Sequence, residues 1–174
     1  MIAIIAAVSE DMGIGKDNSL LWNIPEDLRR FRKLTLGNNV IMVNSSQLAG
    51  EVIIEDWAIL SGLVLVHQFV HIGAHVMIAG GSKVGKDVPP FIKAGREPLS
   101  YEGINSIGLR RRNFSNEKIR ELQDIYRYIY QKGLNTSQAV EIIEAEMPAT
   151  AERDEILLFI KDSKRGIIRG YFPD

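Results

Sequence analysis

Residues 36–88 read, in blocks of six, LGNNVI (36–41), MVNSSQ (42–47), LAGEVI (48–53), IEDWAI (54–59), LSGLVL (60–65), VHQFVH (66–71), IGAHVM (72–77), IAGGSK (78–83) and VGKDV (84–88). The first position of every block is aliphatic or Met: Leu36, Met42, Leu48, Ile54, Leu60, Val66, Ile72, Ile78 and Val84. The fifth is small or β-branched: Val40, Ser46, Val52, Ala58, Val64, Val70, Val76, Ser82 and Val88. Neither an α-helix nor an alternating strand has a period of six, whereas a parallel β-helix built from hexapeptides does. Each hexapeptide supplies one short flat side and three sides close a triangular coil, so nine repeats predict three coils of a left-handed parallel β-helix. The large aliphatic fills the interior and the small residue sits beside it near the corner.

On either side of this stretch the period changes. Residues 1–35 read as strand, loop and helix. Ile2 to Val8 is an apolar run, Gly13, Gly15, Asp17 and Asn18 mark a loop, and Pro25 with Glu26 and Asp27 suits a helix N-terminus ahead of Leu28, Phe31 and Leu34. After Pro89-Pro90 and a loop, three helices are expected. Ser115 caps the first, which presents Ile119, Leu122, Ile125, Tyr126, Ile129 and Tyr130 on one face and stops at Gly133. Thr136 or Ser137 opens the second, which ends before Pro148. Thr150 opens the third, with Ile156, Leu157, Phe159 and Ile160 inward and a stop near Gly166. Three regions follow: 1–35, the β-helix at 36–90, and a helical domain at 91–174 that can cap the open end of the solenoid.

Composition excludes several classes. Hydrophobic residues make up 45% of the 174 and charged ones 25%, enough for a packed core. A net charge of -1 argues against binding nucleic acid through bulk charge. With no cysteine, disulfides, thiolate zinc sites and cysteine nucleophiles are ruled out. The apolar start lacks a basic flank and is too short to span a bilayer, so neither a signal peptide nor a membrane span is expected.

Three motifs have a bland reading beside the chemical one. Gly80 to Lys86 has P-loop spacing, but Asp87 replaces the magnesium-binding hydroxyl, and Val88-Pro89-Pro90 follows where a helix should start. The six-residue register runs unbroken through it, so β-helix turns are expected. His67, His71 and His75 fall at three different phases of the repeat, so no shared metal site is expected. His67 alone is a candidate cleft residue. Arg110-Arg111-Arg112 is either a solvated helix edge or an anion site for a diphosphate or an acidic carrier protein.

Several segments resemble a known family: Gly50 to Leu60, Val66-His67-Gln68-Phe69, Ile72 to Met77, Asp87 to Pro90, Gly108 to Ser115 and Arg165 to Arg169. Together, over about Leu36 to Arg169, they look like the UDP-N-acetylglucosamine O-acyltransferase of lipid A biosynthesis. That resemblance implies a cytoplasmic homotrimer with clefts between neighbouring β-helices and no cofactor. It implies transfer of a 3-hydroxyacyl chain from acyl carrier protein to the 3-hydroxyl of UDP-N-acetylglucosamine. It places His67 and Gln68 in the cleft wall, Gly80 beside the acyl chain, and Asn105, Arg111 and Arg112 near the nucleotide and phosphates. The family's general base, a His followed by Asp, would fall at Arg32 and Lys33. A guanidinium stays protonated and cannot take a hydroxyl proton. A second family His is replaced by Glu51, and the earlier coils are missing. A shortened module without its base is therefore expected.

The opening segment is similar to a different family, dihydrofolate reductase, through Met1 to Val8, Gly13 to Asn18, Leu21-Trp22, Pro25 to Leu28, Phe31 and Val40 to Met42. By that resemblance Ile5, Trp22, Asp27, Leu28 and Phe31 would line a folate pocket, with Asp27 holding and helping to protonate the pterin. NADPH would be the cofactor under that alternative only. Val43 and Asn44 stand where that family has a Gly-Arg pair for the cofactor phosphate. The two resemblances overlap at Gly37 to Met42, so the chain reads as a fusion joined there, and the alternatives to acyl transfer are a reductase remnant or a non-catalytic chimeric or structural protein.

Overall fold

The computed structural model describes residues 35–170. The strand-loop-helix expectation and the folate-like residues lie outside them, as do Arg32 and Lys33.

From Thr35 to Val84 the chain winds through three coils of a left-handed parallel β-helix. The first face stacks β1 (Thr35–Leu36), β4 (Ile53–Ile54) and β7 (His71–Ile72). The second stacks β2 (Ile41–Met42), β5 (Ile59–Leu60) and β8 (Met77–Ile78). The third stacks β3 (Gln47–Leu48), β6 (Leu65–Val66) and β9 (Lys83–Val84). In every ladder the partners are 18 residues apart, so Leu48, Val66 and Val84 lie one above another, as the register predicts.

The aliphatic column fills the prism. Ile54, Leu60, Ile72 and Ile78 are fully buried, and so are the small residues Val52, Ala58, Val64, Val70 and Val76. Each of the Ile, Leu and Val side chains contributes about 1.5–3 kcal/mol on burial. Coverage is poorer in the first coil, where Leu36 is 39% exposed and Met42 and Leu48 are half-buried, because an interior layer is closed only by coils on both sides.

The corners carry a feature that residue type does not announce. The residue three places after each of the first eight aliphatics has positive φ: Asn39, Ser45, Glu51, Trp57, Leu63, Phe69, His75 and Gly81, between 57° and 74°. Only Asn39 and Gly81 are residue types that favour this region, and each of the others forgoes about 1–2 kcal/mol to turn the chain. The ladder compensates: the backbone N–H of Trp57 donates to Asn38 O at 2.9 Å, that of His75 to Asp56 O at 2.9 Å, and that of Phe69 to Gly50 O at 3.1 Å.

Beyond Pro90 the expected loop is a hairpin. β10 (Ile92–Gly95) continues the second face in parallel with β8, and β11 (Ser100–Ile104) returns antiparallel to β10. Ile92 and Ala94 are buried, so the strand closes the top of the solenoid with the alternation a half-buried strand needs. β12 (Arg169–Gly170) adds a further strand beside β11.

Four helices follow. The short α1 (Ser106–Arg111), absent from the sequence reading, is capped by Asn105. α2 (Asn116–Tyr130) has Ser115 as its N-cap and buries the expected face. α3 (Thr136–Glu146) starts at Thr136, one of the two residues expected to open it, with Asn135 as its cap in a capping box with Gln138. α4 (Ala151–Asp162) is capped by Thr150 and buries Ile156, Leu157, Phe159 and Ile160. The Tyr126 hydroxyl donates to Pro90 O at 2.6 Å and ties α2 to the last coil. Among the described residues no helix is long and apolar enough to cross a membrane.

Candidate functional site

The triangular prism has three edges, and the sequence-predicted site residues lie on different ones. His67 and Gln68 follow β6, at the corner between the third and first faces, and both are exposed. The His67 Nδ1 lies 3.0 Å from Gln68 O. Gly80 follows β8, at the corner between the second and third faces. A Cβ there would come within 3.1 Å of Gly62 O, so the backbone of the neighbouring coil limits the side chain. Asn105 and Arg112 belong to the segment packed over the corner between the first and second faces, where Trp57 and His75 turn the chain. A single copy of the chain therefore does not bring these residues into one cleft.

Asn105 is buried, and its side chain is engaged at both ends. Its Oδ1 accepts from Gly108 N at 3.2 Å and its Nδ2 donates to His75 O at 2.9 Å. Gly108 is required there, since a Cβ would lie 2.5 Å from Asn105 Nδ2.

The three consecutive arginines diverge. Arg110 Nε donates to Asn116 Oδ1 at 3.2 Å. Arg111 is exposed at the end of α1. Arg112 folds back over the Trp57 ring, 5.3 Å from its centroid, and Nη2 donates to Trp57 O at 3.1 Å. Its Nη1 is buried without a hydrogen-bond partner among the described residues. Burial lowers the Arg112 pKa, although the group remains a cation.

The three histidines are also separated. His75 is stacked between Trp57, at 6.4 Å, and Phe91, at 5.5 Å, with Phe114 edge-on at 5.2 Å. Its pKa is lowered to about 4, first by burial and then by the Arg112 charge, against a smaller opposing effect of Asp56. It is therefore neutral at neutral pH. His71 Nε2 is 2.7 Å from Glu55 Oε1, and its ring lies 4.4 Å from Phe159 of α4. Among the described residues no group of three or more His, Asp or Glu side chains is placed to hold a metal.

Sequence reasoning missed a cleft of about 500 Å³ beside this corner. Trp57, Asp56, Glu55 and His75 come from the coils, and Glu155 reaches in from α4. Burial, followed by the charges of Glu55 and Glu152, pushes the Glu155 carboxyl up to about 7. Glu55 Oε2 also accepts from Ala74 N at 2.9 Å. No local pattern in the sequence connects Glu55 with a residue 100 positions on, although Glu155 and Phe159 do share a helix face by spacing.

The Gly80–Lys86 motif is β9 with its flanking corners, and no helix follows it. Asp87 is buried: its Oδ1 accepts from His71 N at 2.9 Å and its Oδ2 from the Ser163 hydroxyl at 2.6 Å.

Comparison with known proteins agrees with this architecture. Residues 87–168 match the family model described as UDP-N-acetylglucosamine O-acyltransferase, domain 2, and residues 1–46 match that of dihydrofolate reductase. The chain is 45% identical over 134 residues to the acyl-[acyl-carrier-protein]–UDP-N-acetylglucosamine O-acyltransferase of Pseudomonas syringae pv. tomato, covering 77% of this chain and 52% of that one. The enzyme of the same name from Janthinobacterium sp. (strain Marseille) is 39% identical over 177 residues, covering 97% of this chain and 65% of the relative. Of the solved structures, a UDP-N-acetylglucosamine acyltransferase from Bacteroides fragilis 9343 superposes with a TM-score of 0.77 at 55% identity, over 79% of this chain and 54% of that one. One from Francisella novicida gives 0.75 at 38% identity, over 79% and 50%. The chain spans about half the length of the curated relatives it first matches. Over its β-helix and helical tail, then, it is similar in both sequence and fold to UDP-N-acetylglucosamine O-acyltransferases.

Proposed function

We propose that this chain is a UDP-N-acetylglucosamine O-acyltransferase-type module of lipid A biosynthesis, taking a 3-hydroxyacyl chain from acyl carrier protein. The observation that carries this reading is the TM-score of 0.77 at 55% identity to a UDP-N-acetylglucosamine acyltransferase over the β-helix and its tail. Three regions act in it: an N-terminal segment to residue 35, the β-helix to residue 90 and the helical domain after it.

The working unit is a homotrimer in the cytoplasm. His67 and Gln68, Gly80, and Asn105 with Arg111 and Arg112 occupy three separate edges of the prism, and neighbouring copies can bring different edges together. His67 and Gln68 form one cleft wall. Gly80 leaves room for the acyl chain. Arg111 and Arg112 face the diphosphate, and Asn105 holds the backbone that presents them. No cofactor enters the transfer. The position that should supply the general base carries Arg32, so turnover falls well below that of an enzyme with a histidine there; general-base catalysis is worth about a hundred- to ten-thousandfold.

The test is an acyl-transfer assay with radiolabelled acyl-carrier-protein donor and UDP-N-acetylglucosamine acceptor. Weak binding of the acceptor with slow transfer is expected. Absence of any acceptor binding would reject the reading.

A second reading comes from the match of residues 1–46 to dihydrofolate reductase. Under it, Ile5, Trp22, Asp27, Leu28 and Phe31 bind folates without turnover, because hydride transfer from NADPH needs both reactants held in contact. Folate-dependent oxidation of NADPH that is abolished by Asp27→Asn would instead establish a working reductase.

A further inference from the structure

The end of the third face carries an unbalanced group of cations. Lys83 points outward from β9, Lys86 stands exposed at the following corner, and Arg169 is exposed on β12. With the hairpin turn they line a groove of about 290 Å³, whose floor is closed by buried Leu99 and Ile168. Arg165 adds a fourth cation beside it, its Nε and Nη2 donating to Gly85 O at 3.2 and 3.0 Å. Glu97 is the one carboxylate among the described lining residues, 3.8 Å from Lys83. That pair is 69% and 64% exposed, so it compensates little of the Lys83 charge. Lys86 and Arg169 have no ion pair among the described residues. A chain whose net charge is -1 thus concentrates positive charge at one corner.

This corner is continuous with the candidate cleft wall. Val66 pairs with Val84 in the ladder, and the His67 N–H donates to Val84 O at 2.9 Å. Gly85 and Lys86 therefore stand over His67 and Gln68 on the same edge, one coil away, about 4.8 Å. A partner seated in the groove has its reactive end within reach of that edge without crossing another face.

We propose that the groove of Lys83, Lys86 and Arg169 is the docking surface for the acidic protein that delivers the acyl chain. This rests on the acyl-transfer reading and adds to it where the donor sits. Rim charges of this kind act on encounter rate and on salt dependence more than on contact energy. Exposed charges a Debye length of about 8–10 Å apart are screened at physiological salt, so binding should weaken as salt rises.

The experiment is a fluorescence-anisotropy titration of the full chain with labelled, purified acyl carrier protein at low and high salt, beside a titration with UDP-N-acetylglucosamine. The variant is Lys83→Glu/Lys86→Glu/Arg169→Glu, and the control is Arg120→Glu/Lys132→Glu on exposed positions of the helical tail. The triple variant is expected to bind the carrier at least tenfold more weakly and to lose the salt dependence, with sugar-nucleotide binding unchanged and the control like the parent. Carrier binding equal in parent and triple variant overturns the docking surface and leaves the acyl-transfer reading standing. A parent that binds the sugar nucleotide but no carrier also overturns it. A parent that binds neither ligand rejects both.

Discussion

The Ser163 hydroxyl donates a 2.6 Å hydrogen bond to Asp87 Oδ2, across 76 residues of sequence. Asp87 lies at the corner after β9, just before Val88 bridges Ile72 of β7. Its other carboxylate oxygen accepts from His71 N, its backbone N–H donates to Gly166 O, and its carbonyl accepts from Ile168 N. The side chain therefore fastens the coil below to the end of α4, while the Asp87 backbone holds the approach to β12. Asp87→Ala is expected to destabilise the protein by about 2–4 kcal/mol, since each hydrogen bond to a charged group is worth about 1.5–3 kcal/mol and the freed donors are left partly buried. Asp87→Asn should cost less, because an amide keeps one acceptor. Denaturant midpoints of the two variants check the order.

The core column makes a graded prediction. Leu60 is fully buried and Leu48 is half-buried, at the same position of the repeat. Leu60→Ala should cost about 2–5 kcal/mol, the usual range for a large-to-small change that leaves a cavity. Leu48→Ala should cost clearly less. Equal losses in chemical denaturation would show that the first coil is as tightly closed as the second.

Glu155 and His75 line the same cleft, and their pKa values are shifted in opposite directions. The Glu155 carboxyl is raised from 4.5 to about 7, so the folded chain holds a proton that the unfolded chain has lost; its contribution is full below 4.5 and disappears as pH rises through 7. The His75 ring is lowered from 6.5 to about 4, so there the unfolded chain binds the extra proton; its contribution is full above 6.5 and disappears as pH falls through 4. Both groups are partly exposed, and solvent screening reduces each effect to about 1–2 kcal/mol. In the parent protein the two slopes nearly cancel between 4.5 and 6.5. Glu155→Gln should leave a stability that climbs with pH over that window, and His75→Gln one that falls. Melting temperatures measured from pH 4 to 8 decide it.

A homotrimer is expected in solution, with exposed apolar residues such as Leu63 and Phe69, at 62% and 52% exposure, covered between copies. Sedimentation at micromolar concentration should find the trimer. A monomer alone would remove the argument that separate edges share one cleft.

His67→Ala should leave any acyl transfer within a few-fold of the parent. In the structure His67 is exposed and its Nδ1 faces its neighbour's carbonyl, with no carboxylate among the described residues bonded to the ring to orient it as a base. Loss of all transfer in this variant, measured with the same labelled donor, would identify His67 as the base.

The solenoid was legible because its signal is one-dimensional. A period of six with Leu60 and Val64 inward needs no long-range information, since stacked coils repeat the same local choice, and Ser115 and Thr150 announce their helices by capping chemistry that acts within one turn. The left-handed corners at Trp57, Leu63 and Phe69 were hidden, because ladder hydrogen bonds override a local preference that would have required Gly or Asn. The hairpin over the last coil was hidden too, since Ile92 and Ala94 form a strand only where the edge of β8 is available to pair. The sequence alone therefore determined the prism, its interior and the helical tail. Which side chains share an environment was decided by tertiary structure: Arg112 on Trp57, Glu155 in the cleft with Glu55, and Lys86 one coil above Gln68 are neighbours only because coils stack and the tail folds back, and burial and charge act through space rather than along the chain.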